Sequence, residues 1–137
     1  MGFKLGSERR DFKSSKNVDL SSGKDKSYTY ENVKVFETPL DKGTIAEARN
    51  DGTIAINSEA KLSAAMLKRT IKHEMQHLKD MADGKANYGE NWVMWEDKIY
   101  FRKNGMIDGP AGRLPEGHKD HPWEKVAIEA ETKNDNN

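Results

Sequence analysis

The sequence predicts an α+β fold: a small antiparallel sheet packed on one long helix, with a short C-terminal helix after it. Three observations carry that expectation. Asn50-Asp51-Gly52, a turn signal, separates two strand-like runs. An apolar stripe at helical spacing extends from Leu67 to Met81. Pro122-Trp123-Glu124 opens a segment in which Trp123, Val126, Ala127 and Ala130 share one helix face.

Composition bounds what such a fold can do. The chain has 137 residues, 34% hydrophobic and 34% charged, with a mean hydropathy of −0.97. This implies one domain with a small core and polar ends. Lys+Arg and Asp+Glu both count 23, so overall charge supplies no counterion-release drive toward nucleic acid. There is no cysteine, which excludes a disulfide framework or a thiolate site and leaves histidine and carboxylate as ligands for a transition metal. The opening Met1-Gly2-Phe3-Lys4-Leu5-Gly6 lacks an apolar signal core, and apolar runs long enough to span a membrane are absent from the sequence. No signal peptide and no membrane partner are therefore expected.

Taken in order, residues 1–30 hold six serines, seven basic and four acidic residues. Their apolar positions keep no sustained period, which predicts a flexible basic arm able to dock on a partner. The domain proper is expected over 31–131, and 132–137 as a disordered tail. Val33 and Val35, stopped before Pro39, predict a strand, and Thr44–Arg49 predicts another. Thr53–Asn57 completes a hairpin with Ile54 and Ile56 on one face; its free edge is suited to pairing with an extended peptide.

Ser58–Asp83 reads as helix, with Ser58 or Ser63 as N-cap and Gly84 as the stop. Leu67, Ile71, Met75, Leu78 and Met81 or Ala82 form its buried stripe. Residues 85–122 are rich in glycine and proline and predict a loop with one short hairpin turning at Glu96-Asp97. The last helix begins near Pro122.

The chemistry lies inside the long helix, in His73-Glu74-Met75-Gln76-His77, an HExxH motif. Two imidazoles at i and i+4 project from one face and can bind a single zinc, while Glu74, rotated by about 100°, reaches a zinc-activated water from the side as general base. A third ligand is needed, and Glu124, Asp80, Asp83, His118, His121, Glu129 and Glu131 are the candidates. Asp80, three residues after His77 on the same helix, is better suited to hydrogen-bond a histidine than to complete a tetrahedron. A metzincin carries Gly and His three and six residues beyond the motif, where this chain has Asp80 and Asp83. Glu124 is preferred, because it comes from a second helix that Trp123 can anchor and that small Ala127 allows to approach closely. His118 and His121 could line the cleft or stabilise an oxyanion, as could Tyr88, Tyr100 or Arg102.

From Asn50-Asp51-Gly52-Thr53-Ile54, through Lys72–His77, to Leu114-Pro115-Glu116-Gly117 and Pro122-Trp123-Glu124-Lys125, the chain resembles small zincin-like proteins of tailed bacteriophages, some of them virion or tail components. The third ligand resembles that of the gluzincins. The resemblance implies a minimal zincin-like domain with one Zn2+ on His73, His77 and Glu124, and Glu74 as base. It also implies host cytoplasm during synthesis, with the virion as a destination. Two expectations follow. One is a zinc metallopeptidase acting on a peptide or a peptidoglycan peptide. The other is a phage structural or assembly protein whose zinc site clamps the fold, docked to virion or tail proteins by the basic arm.

Overall fold

The computed structural model describes residues 3–6 and 26–132. The α+β class holds: among the described residues ten strands form two five-stranded sheets, accompanied by two helices. The first sheet comprises β1 (Phe3–Gly6), β2 (Lys26–Tyr30), β3 (Val33–Thr38), β4 (Thr44–Ala48) and β5 (Ile54–Asn57), in the spatial order β1-β4-β5-β3-β2. It is mixed rather than wholly antiparallel, because β3 and β5 run parallel, Val35 opposite Ile54. The second sheet is an antiparallel meander of β6 (Ala86–Tyr88), β7 (Trp92–Trp95), β8 (Lys98–Lys103), β9 (Met106–Gly109) and β10 (Gly112–Pro115). Helix α1 spans Ala64–Ala82 and α2 spans Pro122–Thr132.

The parts of the expected arm and tail that the structure describes are ordered. Residues 3–6 and 26–30 are not an arm but strands of the first sheet, and Phe3 is only 2% exposed. Phe3 and Leu5 do alternate, as do Tyr28 and Tyr30, but each run is too short to stand out as a period-2 pattern; strand pairing makes them β. The remainder of the expected arm, 7–25, and the tail residues 133–137 lie outside the described residues, while Thr132 ends α2.

The hairpin of β4 and β5 forms around Asn50-Asp51-Gly52, where Asp51 Oδ1 accepts from the Thr53 amide (3.0 Å) and hydroxyl (2.6 Å). Its edge is the reverse of the one expected. β5 is enclosed between β4 and β3, so the outer edge belongs to β4, and β1 pairs with it: Phe3 opposite Ala48, Leu5 opposite Ala46.

Ser63 caps α1 through its hydroxyl, which accepts from the Met66 amide at 3.2 Å, and Gly84 takes φ +76° just past the C-cap. Between the helices the chain is more regular than a loop. The turn at Glu96-Asp97 is where the sequence placed it, with both residues at positive φ (50° and 69°) in a two-residue hairpin connection. Asn104-Gly105 makes a second such turn, at φ 53° and 75°, into β9.

Two apolar clusters result. Val35, Ile45, Ala46, Ile54 and Ile56 pack with Ile71 of α1, and Val93, Trp95 and Ile107 of the second sheet pack with Trp123 of α2 and with Phe3 and Ala48. Leu78 of α1 packs against both clusters. Helix α1 thus lies where the two sheets meet, and its polar face is turned inward against α2. No helix among the described residues is long and apolar enough to cross a membrane.

Candidate metal centre

Helix periodicity places His73 and His77 one turn apart, with ring centroids separated by 5.0 Å. Pro122 starts α2 without needing an amide donor, and two residues later Glu124 points inward beside Trp123. His73, Glu74, His77 and Glu124 are each 0% exposed. Burying four ionisable groups together is costly unless they satisfy one another or a metal.

The contacts are short. His73 donates through Nε2 to Glu124 Oε1 and through Nδ1 to Glu131 Oε2, both at 2.7 Å. His77 Nε2 lies 3.2 Å from Glu124 Oε2. One carboxylate therefore faces both imidazoles, and donor atoms of His73, His77 and Glu124 lie within 4.8 Å of one another, a group that could hold a metal ion. Ligands placed tetrahedrally at ~2.0–2.2 Å from an ion stand about 3.3–3.6 Å apart; the His77 to Glu124 spacing of 3.2 Å is close to that, and the His73 to Glu124 spacing of 2.7 Å would open by under about 1 Å on loading. His73 is held between two carboxylates, one at each ring nitrogen. Loading an ion would replace the Nε2 proton and leave Nδ1–H on Glu131, the arrangement in which an outer carboxylate fixes the ring and raises its basicity. His77 Nδ1 has no hydrogen-bond partner among the described residues.

Burial by itself pushes the Glu124 carboxyl up, but the charges of His77 and His73 and their hydrogen bonds outweigh it and hold the group well below the usual carboxylate range. Glu74 Oε2 stands 4.0 Å from His73 Nε2, beside the donor group rather than in it.

The other sequence candidates are dispersed. Asp80 is buried, yet its Oδ1 accepts from Gln76 Nε2 (2.9 Å) and it hydrogen-bonds neither imidazole; burial pushes its carboxyl up, against the Gln76 hydrogen bond and the His77 charge. The part expected of it, orienting a histidine, falls to Glu131. The sequence offers Glu131 among the candidate ligands and not in this part. Its signal was its position one heptad beyond Glu124, which puts both carboxylates on the buried face of α2.

His121 is buried outside the donor group. It stacks on Trp123 (centroids 4.7 Å, planes 11° apart) and donates from Nε2 to the Pro115 carbonyl at 3.0 Å. Gly109 makes room for that stack, since a Cβ there would sit 3.1 Å from His121 Nδ1. His118, partly exposed, accepts at Nδ1 from the Asp120 amide (3.0 Å).

Tyr100 packs near the Trp123 ring at 6.1 Å. Arg102 faces Glu116 at 3.2 Å and donates to the Gly89 carbonyl at 3.0 Å, while the Tyr88 hydroxyl accepts from the Asn50 amide at 2.9 Å. Both residues thus hold strands together.

Sequence reasoning did not anticipate the cover. The Phe3 ring stacks on His77, centroids 4.9 Å apart and planes 15° apart, and Tyr88 meets Phe3 edge-on at 5.6 Å. No protein-family model matches the chain, and comparison with curated proteins and with solved structures finds no similar protein.

Proposed function

We propose that the protein is a zinc-dependent peptidase. The observation that carries this reading is the convergence of His73, His77 and Glu124, from two helices, beside a buried Glu74 that is not part of the donor group. Two imidazoles and one carboxylate are a donor set suited to zinc, with one position left for water. Bound there, zinc supplies a water acidified toward pKa ~7 and polarisation of the scissile carbonyl. Glu74 takes the proton of the attacking water and passes it to the leaving amine. Glu131 keeps the His73 ring oriented, and Glu124 contributes the charge that balances the ion. The substrate class is a peptide or the peptide part of peptidoglycan.

The complete burial of the cluster favours a second reading, in which the metal ties α1 to α2 without catalysis in a phage structural or assembly protein. Glu74 separates the two, because a clamp made of His73, His77 and Glu124 needs no general base. The test is zinc content after desalting together with turnover on a peptide and peptidoglycan panel. About one equivalent is expected in the parent and in Glu74→Gln, and a clear loss in His73→Ala and His77→Ala. Turnover is expected to fall about a hundredfold or more in Glu74→Gln. Zinc bound without turnover, both in the parent and in folded variants that release the Phe3 cover over His77, would give the second reading, and undiminished zinc in both histidine variants would refute the site itself.

A further inference from the structure

A peptidase centre must admit an extended peptide, and this one is sealed. Several elements lie against the cluster, and they differ in what their removal would cost. Helix α2 supplies Glu124 and Glu131, so it cannot leave without dismantling the site. β4 is paired on both sides, by β1 and by β5. β1 is a four-residue strand at the sheet edge with one neighbour, yet it carries the aromatic ring that lies on His77. Short edge strands sit at the low end of local stability, and a sheet edge is where extended peptides add by main-chain pairing.

The geometry points to the outer edge of β4 as the peptide-docking edge of the centre, occupied in this structure by the chain's own residues 3–6. This rests on the peptidase reading and adds the class of ligand: an extended segment, antiparallel to β4, with an aromatic side chain opposite Ala48. The register supports this. Phe3 pairs with Ala48, which pairs with Ile54, so the ring enters beside a small residue in a row running across three strands. Ala48 leaves the space in which the ring reaches His77, with Tyr88 closing its edge. β1 thus occludes the centre in cis and, as a segment of the same chain, competes with any peptide added in trans.

The test reads binding, not turnover. A fluorescein-labelled peptide Met-Gly-Phe-Lys-Leu-Gly is titrated by anisotropy into the full chain and into full-length Lys4→Pro and Leu5→Pro. Adjacent residues of an antiparallel strand alternate in pointing their N–H at the partner, so one of these two must lose a ladder bond. The folded variant that frees β4 is expected to bind the peptide at least tenfold more tightly than the parent. The same peptide with Ala for Phe is expected to bind at least tenfold more weakly than the original. No gain in either folded variant, or no dependence on the aromatic ring, overturns the proposal.

Should neither variant fold, hydrogen exchange of the unaltered chain decides. Amides of residues 3–6 exchanging at least tenfold faster than those of the β4–β5 ladder support a displaceable strand, and equal protection refutes it. Peptide docking without any turnover would refute the peptidase reading while leaving the edge assignment standing. Turnover without docking would do the reverse.

Discussion

Glu131→Gln is the most informative single change, because it alters the proposed ligand His73 without touching the metal. The wild-type carboxylate accepts from His73 Nδ1 at 2.7 Å and is itself mostly buried. Gln keeps the length and an acceptor oxygen but removes the charge. Charge-assisted hydrogen bonds are roughly twice as strong as neutral ones, and loss of such an outer partner typically costs ~10–100-fold in metal affinity. At ~1.4 kcal/mol per decade, that is about 1.4–2.8 kcal/mol of zinc binding. The assay is competition between protein and a chromophoric chelator for zinc at neutral pH. Glu129→Gln on the exposed side of the same helix serves as control, with affinity expected within about twofold of the parent. If Glu131→Gln binds zinc as tightly as the control does, the 2.7 Å contact does not position His73 and the account of the ring is wrong.

Three further outcomes are expected. Glu124→Ala should weaken zinc by at least about tenfold, and Asp80→Ala by less, since Asp80 bonds Gln76 rather than either imidazole; the reverse order in the chelator assay would remove Glu124 from the donor set. In metal-free protein, the depressed Glu124 carboxyl contributes stability that is present above the ordinary glutamate value of ~4.3 and is lost as pH falls through its lower folded value. Denaturation curves of parent and Glu124→Gln should therefore draw together as the pH drops below about 4, and parallel profiles would contradict the charge assignment. Trp123→Ala empties the space beside His121, Trp95 and Tyr100 and should cost about 3–5 kcal/mol in urea unfolding; a loss under ~1 kcal/mol would mean that α2 is held chiefly by its carboxylates.

Local periodicity and capping were enough to locate the elements that bear the chemistry. The four-residue spacing of His73 and His77 forces both rings to one side of α1 wherever that helix packs, Ser63 and Gly84 bound it, and Pro122 sets the start of α2 so that Glu124 falls on its first turn. The choice of Glu124 from seven candidates needed one physical consideration, that a separate helix can approach from the far side, and the structure brings that carboxylate to both imidazoles.

What depended on tertiary structure is whatever rests on partners distant in sequence. Phe3 meets His77 across more than seventy residues, and no local pattern in residues 1–6 announces it. The parallel pairing of β3 with β5 encloses the strand that looked like a free edge, and β1 covers the other strand of that hairpin, β4. Glu131 and Asp80 are both acidic residues on helices, and only the packing of α2 against α1 decides that the first, not the second, reaches a ring nitrogen. Spacing along a chain determines which side chains share a face; which face meets which is settled by burial of apolar surface over the whole domain, and that is a collective quantity.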